Sequence, residues 1–392
     1  MAATNTLREY EAFMRTRKRF LYCVGLWPIK QPSLFYQLLP VFIISMNISG
    51  ACLTISFIVA NSPKIPIMMK GFGTTITFLT TTFRTFFSMP RRKYVRVLHE
   101  DLDHFTNSIV KDSATINLIS GRLPLVRKLV INLTCFVMLT AVTYLVPPVT
   151  NMINQYIHDT RPRTYRLVLP MKYPWSIVDG TASYYCAFIF ESVNFFVSCM
   201  VAAAVDSHFM VYILQLSWEL RAMSHQFSDL KDHDDYDLVV QDCIRSYKRL
   251  IRCRDNVEKI YGPIFLWMMV SSAVTMCACV FQLANIRALS FIQIFHIGMY
   301  LGARLSLLFG YTWSGTVLTT ESEALRDTIY SSNWPGSGRQ RYMTSILIML
   351  TQKPLVISAC SFAAISIKLF PKLINTAISY FFLLRTMEDK KK

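Results

Sequence analysis

Apolar residues in this chain come in long blocks, not in the alternating faces of a water-soluble domain. Each block has about 20 residues or more, the length a helix needs to cross a bilayer. The first runs from Leu34 to Ala60 and the second from Ile65 to Met89, after the short turn Asn61-Ser-Pro-Lys64. The third covers Leu129 to Met152, and a proline-containing polar stretch, Asn154 to Trp175, leads to the fourth, Ile177 to Val205. Phe209, Ile213, Leu216 and Leu220 then keep helical spacing, so the fourth helix is expected to continue past the membrane. After a charged segment, Arg221 to Lys259, come the fifth span, Ile260 to Ala284, and the sixth, Leu289 to Thr319. A turn at Asn333-Trp-Pro-Gly-Ser-Gly338 and a break at Pro354 precede the seventh, Leu355 to Met387. The pattern predicts an all-α membrane protein with seven transmembrane helices.

Composition agrees: 53% of the 392 residues are hydrophobic and 17% charged, against about a quarter charged in ordinary soluble chains. Residues Met1 to Ser33 are polar and basic, so the first span is expected to serve as its own insertion signal. A net charge of +17 raises the question of nucleic acid. The bases lie between the apolar blocks and not on one domain face, which argues for cytoplasmic loops and against a nucleic-acid partner. With the amino terminus inside, the inner segments hold roughly two dozen Lys and Arg and the outer ones roughly ten, so the amino terminus is assigned to the cytoplasm and the carboxyl terminus to the exterior. Ten cysteines are scattered without zinc spacing; Cys277-Ala-Cys279, within a span, reads as packing. No His-Glu-x-x-His, Gly-x-Ser-x-Gly or phosphate-cradling glycine loop is present, so neither an enzyme nor a metal or other cofactor is expected.

The carboxyl end carries the sharpest motifs. The run Arg341-Tyr-Met-Thr-Ser-Ile-Leu-Ile-Met-Leu-Thr-Gln352-Lys353-Pro354-Leu355 resembles the helix and Gln-Lys-Pro-Leu turn before the last span of insect odorant receptors. Ser379-Tyr380-Phe381-Phe382-Leu383-Leu384-Arg385 is similar to that family's terminal Ser-Tyr-Phe-x-Leu-Leu-Arg, and Val205-Asp206-Ser207 resembles a stretch of its fourth helix. The short connection between the fourth and fifth spans resembles a ligand-tuning subunit more than the co-receptor. Lys368 departs from the pattern, as a base inside the expected last span.

The resemblance implies an odorant-binding subunit of a ligand-gated, non-selective cation channel. Such a subunit assembles with the olfactory co-receptor, as a heterotetramer, in the plasma membrane of olfactory sensory neurons, surrounded by lipid. It divides the chain into a cytoplasmic segment, 1–33, a ligand-binding bundle of six helices with cytoplasmic extensions, 34–340, and an anchor helix with the pore-lining seventh helix, 341–392. A gustatory-type receptor channel is the alternative, followed by a G-protein-coupled receptor or a transporter. The expected orientation opposes the first of these last two, and no internal repeat favours the second.

By the same resemblance a small volatile or lipophilic odorant binds among the second, third, fourth and sixth helices. The expected walls are Phe72, Thr75, Ile76 and Leu79; Met138, Val142 and Leu145; Tyr184, Tyr185 and Phe188; and His296, Met299 and Tyr300. Each set shares one helix face, and helix packing without a ligand is the competing reading. Leu383 and Met387, with Thr386 beside them, are expected to narrow the pore, and Thr376 and Tyr380 to extend its lining inward, against a reading as lipid-facing residues. Trp334, Tyr342, Ile346 and Met349 are expected at the cytoplasmic subunit interface, against a helix lying on the membrane. Glu191 and Arg304 fall at similar depth inside spans, where ionisable groups seldom go without partners. They are expected to pair with each other, or else each to carry a partner of its own.

Overall fold

The computed structural model describes residues 2–62, 65–111, 123–158, 165–178, 180–228, 236–284, 291–332 and 340–389. It is all-helical apart from one small hairpin. The helices are α1 (Ala2–Cys23), α2 (Leu34–Ala60), α3 (Ile65–Ser88), α4 (Arg92–Lys111), α5 (Leu123–Ile157), α6 (Ala182–Ser228), α7 (Tyr236–Ala284), α8 (Phe291–Ser331), α9 (Gln340–Leu350) and α10 (Leu369–Asp389). Among the described residues α2, α5, α6, α7 and α8 are long and apolar enough to cross a membrane by length and composition. The charged Lys70 and Arg84 interrupt α3, and the apolar part of α10 is shorter, Leu369–Leu383. These two complete a bundle of seven spans.

The first two spans match the expected boundaries closely, and local chemistry fixes both ends of α2. The Ser33 hydroxyl accepts from Tyr36 N at 3.3 Å as the amino-terminal cap of α2, and the turn at Asn61 ends it. Three segments go beyond or depart from the expected spans. The charged segment before the fifth span is helical where it is described: Arg221–Ser228 end α6, and residues from Tyr236 onward form the first half of α7, a single helix of 49 residues. The basic Arg91–Arg96 stretch belongs largely to α4, whose Val95, Leu98, Leu102 and Phe105 turn inward. Two of its bases bond carbonyls of the connection between α1 and α2: Arg92 reaches Gly25 O, and Arg96 donates to Ile29 O at 2.7 Å. Burial alone would raise the Asp103 carboxyl on the same helix, but His99 at 3.0 Å and Lys18 at 3.6 Å hold it below its ordinary value.

The seventh span is the third difference. It starts at Leu369, not at Leu355, and Lys368 lies just before it, outside the helix. Residues 355–368 fold back as a hairpin, β1 (Ser358–Ala359) against β2 (Ala363–Ala364), turning through Cys360 and Ser361 at positive φ of 52° and 61°. Non-helical backbone survives in such a place only when other groups satisfy it. Here Leu355 N donates to Ser322 Oγ at 2.8 Å, Ile367 N to Thr316 Oγ1 at 2.7 Å, and Ser358 Oγ to Glu258. Gly315 makes this approach possible, since a Cβ there would stand 2.3 Å from Ile365 O.

The main core lies at one end of the bundle, where α6 is buried without interruption from Val201 to Leu220 among α1, α4, α7 and α8. At the edge of that core, Arg84 of α3 and Asp206 of α6 form a bidentate pair, Nε to Oδ1 at 3.0 Å and Nη2 to Oδ2 at 2.7 Å. Their side chains are 3% and 2% exposed. Tyr311 of α8 donates to the same Oδ1 at 2.8 Å, and its ring stacks on Phe209 at 4.3 Å. One carboxylate thus ties three spans together. Removing either charge leaves the other buried without compensation, a loss of about 3–5 kcal/mol. We expect Asp206→Asn and Arg84→Gln each to lower the thermal stability of the purified protein sharply, and Arg84→Met with Asp206→Leu to recover part of it. Single variants that melt like the unaltered protein would show the pair to be dispensable.

Candidate functional site

The half of the bundle away from the main core holds a cavity of about 570 Å³. Gly73, Thr74 and Thr77 of α3 form one wall, and Ala278, Cys279 and Gln282 of α7 another. Gln293, His296, Ile297 and Tyr300 of α8 face them, with Tyr144 of α5 and Phe195 of α6 at the back. Phe57 and Lys70 also line it, and among the described residues no aspartate or glutamate does.

Its remaining wall is not a helix. Residues 165–171, between α5 and α6, line the cavity as a strap. Pro170 and Pro174 keep this segment from becoming helical. Leu169 and Met171 are buried, packed in a cluster with Phe78, Val137 and Phe195. Extended backbone at this depth requires polar partners, and Glu191 of α6 supplies them: Leu169 N donates to its Oε2 at 2.8 Å and Tyr173 Oη to its Oε1 at 3.2 Å. Lys172 N donates to Leu53 O at 3.1 Å, and Tyr184 Oη to Arg166 O at 3.0 Å.

On the opposite side Tyr300 anchors the floor. Its hydroxyl donates to Gly73 O at 2.9 Å, lies 2.8 Å from Thr77 Oγ1, and accepts from Arg304 Nη2 at 3.0 Å. Arg304 also donates to Thr77 Oγ1 at 3.3 Å, and its guanidinium lies 5.3 Å from the centre of the Tyr300 ring. Gly73 leaves room for that ring, because a Cβ there would already stand 3.3 Å from it. His296 stacks on Tyr144 with ring centres 4.9 Å apart.

The expected pair of Glu191 with Arg304 is therefore not formed. The two helices do bring both groups to the cavity's surroundings, but each has nearer polar partners, the strap for Glu191 and the Tyr300–Thr77 floor for Arg304. Of the expected pocket residues, His296 and Tyr300 line the cavity. Thr75 instead bonds Thr54 across to α2 at 2.9 Å, which turns Gly73, Thr74 and Thr77 inward and leaves Phe72, Ile76 and Leu79 out of the lining. On α5, Tyr144 lines the space in place of Met138, Val142 and Leu145; Val142 is 47% exposed. On α6 the lining residue is Phe195; Tyr184 is buried under the strap, Phe188 stacks on it, and Tyr185 is 45% exposed. Met299 lies off the cavity face. The wall from α7 and the strap were not anticipated. Their signal was present in the prolines of the strap and in Gln282 near the end of a largely apolar span.

In α10, Thr376, Tyr380, Leu383 and Thr386 occupy the exposed face, while Ala377 and Phe381 are buried. Ile346 and Met349 are enclosed in the chain's own main core, so they do not present themselves to another chain; Leu347 and Ile348 are open apolar residues of α9. Trp334 lies outside the described residues, as do the side chains of Tyr342 and Met387.

With this geometry in place, comparison with known proteins is informative. A family model described as 7tm Odorant receptor matches residues 64–378. The chain belongs to that family. It is similar to Odorant receptor Or2 of Anopheles gambiae, 23% identical over 57% of this chain and 63% of that one. Odorant receptor 13a of Drosophila melanogaster is 22% identical over 60% of each. The Aedes aegypti odorant receptor coreceptor is 27% identical over 36% of this odorant receptor and 30% of its own length. The match spans about three-fifths of the length of the first two relatives. Among solved structures, the insect olfactory receptor OR5 from Machilis hrabei superposes with a TM-score of 0.77 at 16% identity, over 97% of this chain and 98% of that one. Its complex with eugenol gives 0.78 at 15%, over 96% and 98%. The fold is thus that of a seven-helix insect olfactory receptor.

Glu191 and Arg304 can be separated by experiment, since they hold different walls. Glu191→Ala removes both acceptors of the strap, and loss of hydrogen bonds to a charged group, about 1.5–3 kcal/mol, should speed amide exchange across 167–173 by about tenfold or more. Arg304→Gln should leave that exchange unchanged. Equal acceleration by the two variants would contradict their independence.

Proposed function

We propose that this chain is the odorant-binding subunit of a ligand-gated, non-selective cation channel formed with the olfactory co-receptor. The observation that carries the reading is the cavity in the half of the bundle away from the main core, in a chain of this family. Its volume of about 570 Å³ falls in the range of about 300–1,000 Å³ typical of small-molecule sites. The eugenol complex of the related OR5 fold and the similarity to co-receptors support a small ligand and a hetero-oligomer. In this reading the amino terminus is cytoplasmic and the channel sits in the plasma membrane of olfactory sensory neurons, with 1–33 inside, 34–340 holding the ligand and 341–392 forming anchor and pore.

The lining also narrows the ligand. Among the described residues it is largely aromatic and aliphatic, with Lys70, Arg166, Gln282, Gln293 and His296 as donors and no carboxylate. A compact apolar molecule bearing a carbonyl, ester or phenol oxygen complements these donors. Ligand contact with the floor or strap displaces groups that bridge α3, α6 and α8, and this couples binding to the helices below. The exposed face of α10, with Thr376, Tyr380, Leu383 and Thr386, is the surface that would line a shared pore.

The function is tested by expressing the chain with a co-receptor and recording odorant-evoked inward cation current. Surface complexes that stay silent across a broad odorant panel, or currents abolished by blocking guanine-nucleotide exchange, would overturn it. For the site, Cys279→Trp fills the cavity and should raise the half-maximal odorant concentration by about tenfold or more, equivalent to about 1.4 kcal/mol. Val142→Ala and Tyr185→Ala, off the cavity, should leave it unchanged; the reverse pattern would move the site. Cysteine at Leu383 should make the current sensitive to an external thiol reagent, and insensitivity in a channel with normal current would remove Leu383 from the pore.

A further inference from the structure

The polar groups along the odorant cavity are not equally available to a ligand. Thr74 Oγ1 donates to Gly71 O at 2.8 Å, and Thr77 is engaged with Tyr300 and Arg304 at the floor. Gln282 Nε2 donates to Met69 O at 2.9 Å, His296 stacks on Tyr144, and Gln293 is engaged within the chain. Two lining residues differ. Among the described residues the side chains of Lys70 and Arg166 make no hydrogen bond or ion pair, and both residues are exposed.

No described acid along the cavity answers these two charges. Glu191 stands behind the strap, where Leu169 N and Tyr173 Oη occupy its carboxylate. Arg304 adds a third positive charge at the floor and spends it on the Tyr300 and Thr77 hydroxyls. Lys70, Gly73, Thr74 and Thr77 are three or four residues apart, so they share one face of α3. The cation stands toward one end of that face and the Tyr300 floor meets the other, about seven residues or roughly 10 Å along the helix. Arg166 reaches the same cavity from the strap, where its carbonyl is held by Tyr184 Oη at 3.0 Å. The other walls are largely apolar, Leu169, Phe195, Ala278 and Ile297 among them.

We propose that the cavity selects an organic carboxylate: a monocarboxylic acid whose head group is held by Lys70 and Arg166 and whose flexible apolar chain runs toward the Tyr300 floor. A guanidinium takes a carboxylate through two parallel hydrogen bonds, and an ammonium adds a point charge. A carboxylate drawn into an apolar space is costly unless it is paired, and here two uncommitted cations pair it. An alcohol, aldehyde or ester of the same length fills the apolar walls but leaves both charges unanswered. The inference rests on the reading of this cavity as an odorant site and narrows that reading to one head group.

The test is equilibrium dialysis of radiolabelled octanoate, octanol, octanal and methyl octanoate against the full chain co-purified with its co-receptor, at neutral pH. The co-receptor alone supplies the baseline, and the same four compounds are applied while current is recorded. Octanoate should bind about tenfold more tightly than each neutral analogue, equivalent to about 1.4 kcal/mol. Lys70→Gln and Arg166→Gln should each weaken octanoate about tenfold and leave the neutral analogues unchanged, whereas Val142→Ala should alter none of the four. Octanoate bound with this preference but without current would support the carboxylate assignment and count against the channel reading. A neutral analogue that binds as tightly as octanoate would overturn the assignment and leave the odorant reading in place. A preference that survives in the double variant, or no binding above baseline by octanoate, would also overturn it.

Discussion

The buried ion pair of Arg84 and Asp206, shared with Tyr311, is the constraint on which the rest of the molecule hangs. Within a bilayer, helices gain little from burying apolar surface against each other, because lipid is equally apolar; polar contacts and close packing must hold them. A charge pair taken out of water is costly to form and costlier to break. Placing it where α3, α6 and α8 meet fixes their rotation about their own axes. The residues those helices turn toward one another above the pair then follow: Gly73 and Thr77 on α3, Phe195 on α6, Tyr300 on α8.

A second polar system works above the first. The strap 165–171 and the Tyr300 floor are opposite walls of one cavity, held by Glu191 and Arg304 respectively. Each ionisable group satisfies backbone or hydroxyl groups that would otherwise be orphaned at membrane depth. The two walls therefore have separate polar supports. A directly bonded Glu191–Arg304 pair would have locked the walls together.

Much of this architecture is legible in the sequence and some is not, for identifiable reasons. Blocks such as Leu34–Ala60 announce themselves because bilayer thickness sets a length that composition must meet. The terminal Ser379–Arg385 motif pointed to the family that the comparisons establish. Helix rotation is harder. One residue turns a face by about 100°, and only the Thr75–Thr54 bond, invisible without α2 in place, decides that Thr74 and not Thr75 meets the cavity. The strap was hidden because a proline-containing polar stretch reads as an outer loop, whereas Leu169 and Met171 carry it inward once Glu191 offers acceptors. Asp206 stood in a recognisable motif, yet its partner lies 122 positions away, and no local pattern links them.

The central claim is that odorant occupies the space between the strap and the Tyr300 floor. The most direct measurement is a structure of the chain with its co-receptor and an activating odorant. The account predicts ligand density bounded by Leu169, Cys279, His296 and Tyr300, with the Arg84–Asp206 pair intact beneath it. Density outside these walls, against the exposed face of Val142 or Tyr185, with this cavity unchanged, would contradict it.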